Sequence, residues 1–93
     1  MNYVLIIHEV ADYSSWKKQF DQAANLRKAA GEISFQVLQF QHEPNKVVHF
    51  SHWDDLEKAK SFFDSPEVQQ IRLDAGVKTP EFNYLNLIDS GIL

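Results

Sequence analysis

Glu32-Ile33-Ser34-Phe35-Gln36-Val37-Leu38-Gln39-Phe40-Gln41-His42-Glu43-Pro44-Asn45-Lys46-Val47-Val48-His49-Phe50-Ser51-His52-Trp53 reads as two strands folded back on each other. Glu32 to His42 and Lys46 to Trp53 are rich in the β-branched and aromatic side chains that fit a pleated, half-buried surface. Between them, Pro44 pre-sets one turn dihedral and Asn45 tolerates the next, so Glu43-Pro44-Asn45 is the expected turn. If His42 opposes Val47, then Phe40 opposes His49, Leu38 opposes Ser51 and Gln36 opposes Trp53, all on one face. The other face then carries Ile33, Phe35, Val37, Val48, Phe50 and His52. This second set is the more apolar and is the one expected beneath helices.

Outward from the hairpin, the chain alternates strand and helix signals. Tyr3 to Val10 reads as a strand that brings Val4, Ile6 and His8, or their alternates, to the helix side. Asp12 is a helix N-cap, and Tyr13, Trp16, Phe20, Ala23, Ala24 and Arg27 follow at helical spacing until Gly31 ends the helix. Asp54 or Asp55 starts a second helix, which breaks and restarts at Ser65-Pro66 and stops at Gly76. Val77 to Glu81, with Pro80, is expected to be a loop, and Phe82 to Asp89 the last strand. The order strand, helix, strand, strand, helix, strand, with right-handed crossovers, gives an α+β ferredoxin-like plait: four antiparallel strands, both helices on one face. The first and third strands are central in that topology.

Composition bounds the chemistry. Ninety-three residues suit a single domain, residues 1–93, and a core of that size is marginal enough to favour association. With no cysteine there is no disulfide framework, thiolate metal site or cysteine nucleophile. Only three glycines are present, and no Gly-rich phosphate loop or nucleophile elbow can be traced. A net charge of −4, with nine Lys and Arg scattered along the chain, argues against nucleic acid or an anionic membrane as partner. The N-terminus has an apolar run of only four residues, so a cytoplasmic location is the default expectation.

The remaining sheet face, the one not expected beneath helices, still carries Leu38, Phe40, Val47 and Trp53, too apolar for solvent. Two copies packing sheet to sheet as a homodimer would cover it. The competing reading is that the tail Ser90-Gly91-Ile92-Leu93 folds over part of the patch.

In this order and spacing, several segments resemble the antibiotic-biosynthesis-monooxygenase-like proteins of the dimeric α+β barrel superfamily. They are His8-Glu9-Val10-Ala11-Asp12-Tyr13, Trp16-Lys17 and Phe20-Asp21, then Pro44-Asn45-Lys46-Val47-Val48. Trp53 through Ala59, Phe62 with Ser65-Pro66-Glu67, and Ala75-Gly76-Val77 before Pro80-Glu81 extend the likeness over most of the chain. The resemblance implies a homodimeric barrel with a pocket between sheet and helices in each protomer. It does not by itself imply a reaction, because the superfamily includes cofactor-independent oxygenases, haem-degrading enzymes, isomerases and proteins without assigned activity. The haem-degrading pattern of Asn, Trp and ligating His falls here on Ile6, Phe62 and Arg72, all departures from it.

Candidate site residues follow from placement. His8, an ionisable ring between Ile6 and Val10, must find a partner if it faces the helices. It is either a core histidine bonded to a backbone carbonyl or the catalytic group that orients a substrate or accepts its proton. Tyr13, Trp16, Phe50, His52, Phe63 and Arg72 are the expected substrate-binding set: aromatic rings as walls, His52 and Arg72 as polar handles, with Tyr84 as another. Plain core packing is the alternative for the rings. No metal site is expected, since His8 and His52 lie at opposite ends of paired strands and His42 with His49 lacks a carboxylate, so both of the latter read as surface or interface residues. Two functional readings remain open: a cofactor-independent monooxygenase or isomerase acting on a small aromatic or enolic molecule, and a non-catalytic small-molecule-binding or structural dimer.

Overall fold

A computed structural model describes residues 1–93. The elements run β1 (Asn2–Val10), α1 (Tyr13–Gln22), α2 (Ala24–Ala30), β2 (Glu32–Phe40), β3 (Glu43–Trp53), α3 (Leu56–Asp64), α4 (Pro66–Asp74) and β4 (Val77–Asn86). The strands form one antiparallel sheet in the order β2-β3-β1-β4, the ferredoxin-like α+β arrangement with β1 and β3 central. No helix is long and apolar enough to cross a membrane.

Local chemistry sets the helix ends. The Asp12 carboxylate accepts the Ser15 N–H at 2.9 Å, Asp55 accepts from Glu57 and Lys58, and Ser65 accepts from Val68 behind Pro66. Gly31 closes α2 at φ 121°, a conformation in which a Cβ would also collide with the Asp54 carboxylate. The first helix, expected to be continuous, breaks at Ala23 (φ −89°, ψ 5°). That break accompanies a guanidinium: the Phe20 carbonyl accepts from Arg27 Nη1 as well as from the Ala23 N–H.

Two expectations about the strands require correction. The hairpin turn is Gln41-His42, with His42 at φ 70°, and Pro44 and Asn45 lie inside β3. Asn45 reaches out of the hairpin, its Oδ1 accepting the Tyr13 N–H at 2.9 Å where α1 begins. Phe40 pairs with Glu43 beside that turn, and a register shift between Gln39 and Phe40, with Pro44, Asn45 and Lys46 as the extra residues of β3, then sets Val47 opposite Gln39 and His49 opposite Val37. Val47 was expected opposite His42, three residues further along β2. An odd displacement turns β3 over relative to β2. Val48, Phe50 and His52 thus lie on the open face, while Val47, His49, Ser51 and Trp53 are the buried side of β3. The second correction concerns β4, which starts at Val77 rather than Phe82. Its edge position tolerates Pro80, which lacks a donor, and a bulge takes up the extra residue beside Thr79 (φ 40°).

Burial divides into two clusters on the helix side. Val4, Ile6, Trp53, Ala59, Phe63 and Val68 form one, and Val10, Trp16, Phe20, Val47, Ala75 and Val77 the other. Trp53 is fully buried and donates its indole N–H to Ser51 Oγ at 2.7 Å, so no polar atom of the ring is left unpaired. The open side of the sheet is also apolar. Tyr3 stacks on Phe50 and His52 at centroid distances of 5.1 and 5.0 Å, and Leu38 and Leu85 are 48% and 40% exposed. The C-terminal tail does not cover this surface: after the Leu87 N–H bonds the Met1 carbonyl, Ile88, Ile92 and Leu93 project into solvent.

Candidate functional site

At the seam between the two core clusters lies a cavity of about 70 Å³, open on one side and lined by members of both. Ile6 and His8 of β1 form its floor beside His49 of β3. Trp16 and Phe20 of α1, Phe63 of α3 and Arg72 of α4 stand around it. Eleven of its sixteen lining residues are hydrophobic, the composition of a small-molecule site with a few convergent polar groups.

Alternation along β1 points His8 inward with Val4, Ile6 and Val10. The ring is 4% exposed and sits 5.6 Å from Trp16, centroid to centroid. Its Nδ1 is buried with no hydrogen-bond partner, so the carbonyl-bonded core histidine is not what the fold contains. Leaving such a group unpaired costs on the order of 1–3 kcal/mol, which is why buried polar atoms are almost always satisfied. Burial first, then the charge of His49 in its protonated form and that of Arg72, push its pKa down from 6.5 to about 3. The His8 ring is therefore neutral at physiological pH. Arg72 is anchored by a 2.9 Å bond from Nη1 to the Phe63 carbonyl and lies 5.0 Å over the Phe82 ring. Desolvation lowers its pKa, but a guanidinium starts so high that it stays charged.

Sequence reasoning missed a second polar group. Arg27 Nε donates to Glu32 Oε1 at 2.7 Å, and His49 Nε2 lies 2.7 Å from Glu32 Oε2. All three side chains are 3–6% exposed. A bulge builds this triad. Ser34 pairs with His52, yet Glu32 pairs with Trp53, so Ile33 is an extra residue in β2. Strict alternation would bury Ile33 and expose Glu32; the bulge reverses them, and Ile33 is 59% exposed. Burial alone would raise the Glu32 pKa, but the hydrogen bonds and charges of His49 and Arg27 outweigh it and hold the carboxyl below its usual range. Arg27 also lies 3.7 Å from the centre of the Phe20 ring, a cation–π contact. One signal was available: Arg27 interrupts the apolar stripe of the first helix, and a charge at a core position demands a partner.

Of the other residues singled out from sequence, Trp16, Phe63 and Arg72 line the cavity. Tyr13 packs on Trp16 at 6.1 Å but is not part of the lining. Phe50 and His52 are on the opposite side of the sheet, as the three-residue register difference requires, and cannot touch a ligand held there. His49, expected at the surface or an interface, is 3% exposed and lines the cavity, whereas His42 is in the exposed turn. Tyr84 faces the helix side next to Lys60, outside the lining; burial first, then Asp64, raises its pKa. No group of three or more His, Cys, Asp or Glu side chains is placed to hold a metal ion.

Fold and site together define a small ferredoxin-like α+β protein with a recess of about 70 Å³ between its sheet and its helices. Residues 14–72 match the antibiotic biosynthesis monooxygenase family, and the chain belongs to it. Among solved structures it is similar to SnoaB, a cofactor-independent oxygenase from Streptomyces nogalater. The TM-score is 0.79 at 13% identity, covering 96% of this chain and 94% of that one. An antibiotic biosynthesis monooxygenase structure aligns with TM-score 0.73 at 8% identity over 96% of this chain and all (100%) of the other. A Nitrosomonas europaea protein of the same type gives 0.73 at 12% identity, with coverages of 96% and 100%. At these identities the likeness establishes the fold. No curated protein matches the sequence.

Proposed function

We propose that the protein is a homodimeric, cofactor-independent monooxygenase whose substrate is a small enolisable or electron-rich aromatic molecule held as an anion beside His8 and Arg72. The observation that carries this reading is the buried, unpartnered Nδ1 of His8 in a mostly apolar recess that Arg72 also lines. A substrate oxygen there would give the ring the partner the fold withholds, and Arg72 would balance the negative charge of a bound enolate or phenolate. His8 thus orients the ligand. Once a substrate CH2 group has lost a proton, the carbanion is electron-rich enough to reduce dioxygen itself. One oxygen atom becomes the product carbonyl and the other leaves as water, with all four electrons drawn from the substrate. The apolar walls keep bulk water from quenching the carbanion.

The homodimer in this proposal joins two copies through the open sheet face, where Leu38 and Leu85 lie exposed and Phe50 half-buried in a single chain. No nucleic acid and no membrane enters the reading, and its setting is the cytoplasm. A second reading is favoured by the recess volume, about 70 Å³ against the ~150 Å³ that accommodates benzene in an engineered cavity. On that reading the protein is a binding or structural dimer whose aromatic side chains fill most of its own pocket. Native mass spectrometry of protein purified from its host, followed by dioxygen uptake with any molecule it retains, separates the two. A dimer that releases a small organic molecule and consumes dioxygen with it supports the monooxygenase. A bare dimer with no uptake supports the second reading, and a monomer removes the shared interface.

A further inference from the structure

The cavity holds two imidazoles in opposite circumstances, and the monooxygenase reading leaves open which of them takes the substrate proton. We propose that His49 is the proton acceptor of the cavity and that Glu32, itself held by Arg27, is its positioning residue. The inference rests on the reading of the recess as a substrate site and adds to it the group that performs the first chemical step.

The tautomer follows from the contact. A carboxylate accepts hydrogen bonds and His49 Nε2 lies 2.7 Å from Glu32 Oε2, so Nε2 carries the hydrogen. In the neutral ring the lone pair is then on Nδ1, and the hydrogen bond the ring makes is the Nε2 contact with Glu32. Glu32 is not among the cavity-lining residues while His49 is, so the ring stands between the carboxylate and the recess. Protonation of Nδ1 creates an imidazolium already paired with a carboxylate, as in other imidazole–carboxylate relays. Arg27 fixes the second Glu32 oxygen at 2.7 Å, and the Ile33 bulge is what turns that carboxylate inward. Phe20 and Phe63 meet the His49 ring edge-on at 4.9 and 6.5 Å and restrict its rotation.

His8 is the contrasting case. It has no carboxylate neighbour, and a proton placed on it would be buried near His49 and Arg72, which disfavour the charge. It serves better as a neutral donor to the ligand. The charged and titratable groups around His49 are then Glu32 from β2, Arg27 from α2, His8 from β1 and Arg72 from α4. In the proton transfer, a substrate C–H bond breaks and its electron pair stays on the substrate, delocalised as the enolate or nitronate. The proton forms an N–H bond at Nδ1 of His49. Glu32 keeps accepting from Nε2–H throughout.

The test needs no dioxygen and no natural substrate. Long-range proton–nitrogen correlation spectra of the full chain report the tautomer of His49, and the expected form carries its hydrogen on Nε2. Nitromethane, a carbon acid small enough for the recess, is then followed by proton NMR as its hydrogens exchange in deuterated buffer. The wild type is expected to exceed an equimolar amount of free imidazole by about 10²-fold, the low end of positioned general-base catalysis. His49→Gln should lose that excess at every nitromethane concentration, Glu32→Gln should lower it and displace its pH profile, and His8→Gln should raise the nitromethane concentration needed for half-maximal exchange. Each variant is first checked for a dispersed amide spectrum. Because the tautomer is read in the wild type, a variant that fails to fold does not remove the test. A hydrogen on Nδ1 of His49, exchange no faster than imidazole, or exchange abolished by His8→Gln and kept by His49→Gln each overturns the assignment. Accelerated exchange without dioxygen uptake on any substrate would instead leave His49 in place and overturn only the monooxygenase.

Discussion

The two faces of the sheet are both apolar, yet they are apolar for different purposes. On the covered face every inward residue of β1 and β3 from Val4 to Val10 and from Val47 to Trp53 is buried, and the few polar ones are His8, His49 and Ser51. Ser51 is satisfied by the Trp53 indole, His49 by Glu32, and His8 by nothing. On the open face Tyr3, Phe50, His52, Leu38 and Leu85 lie half-buried or exposed, with aromatic stacking but no buried polar group left wanting. An exposed apolar surface calls for a large partner, whereas an unpaired polar atom in an apolar recess calls for a small one. The contrast within one sheet is the clearest statement of how the molecule is built.

The comparison breaks most visibly at neighbouring positions of β3. Trp53→Ala empties a fully buried site and should cost about 3–5 kcal/mol in denaturant unfolding. Phe50→Ala, on the other face, should cost clearly less at protein concentrations where chains are separate. Equal losses would mean that the open face already belongs to the folding core.

Acid should expose the His8 side of the contrast. Its folded-state pKa of about 3 is below the unfolded value of 6.5, so the unfolded chain binds the extra proton first as pH falls. The wild type is therefore expected to lose on the order of 4 kcal/mol progressively between pH 6.5 and 3, with no such contribution above pH 6.5. The lowered pKa of Glu32 acts in the same direction at the acid end of that range, its stabilisation being present above the unfolded carboxylate pKa and lost on further acidification. Unfolding of His8→Gln measured against pH should show a flatter profile than wild type. An unchanged profile would mean that the ring is not buried neutral.

A smaller effect, about 3 kcal/mol at neutral pH, is expected for Glu32→Gln, because it leaves the Arg27 charge buried without its carboxylate. The same change with Arg27→Met should recover part of the loss in a double-mutant cycle. Independent, additive losses would show that the triad is not a unit. The least effect on chain stability, within about 0.5 kcal/mol, belongs to Leu38→Asp at a site 48% exposed. Sedimentation should nevertheless show it as a monomer if the open face is the dimer interface. A dimer that survives this substitution would place the interface elsewhere.

The helix starts at Asp12 and Ser65, another at Asp54 or Asp55, the stops at Gly31 and Gly76, the element order and the centrality of β1 and β3 were all legible in the sequence. Each depends on a cap or a turn completed within a few residues, or on a topology that leaves few alternatives. The inward placement of His8 was among the alternatives, and three members of the expected binding set, Trp16, Phe63 and Arg72, do meet at the recess. What the chain by itself could not decide was the side of β3. Pro44-Asn45 has turn chemistry, but Asn45 is engaged with the start of α1, and the reversal occurs at Gln41-His42. Strand pairing has a period of two, so the three-residue difference in register left by the irregularity at Pro44 to Lys46 puts His49 at the site in place of Phe50 and His52. The bulge at Ile33 that turns Glu32 inward, and the break at Ala23 beside the carbonyl that Arg27 bonds, are likewise set by partners on other elements. Local propensity determines where elements begin and end. Only long-range packing brings Arg27, Glu32 and His49, drawn from a helix and two strands, into one hydrogen-bonded group beside the recess.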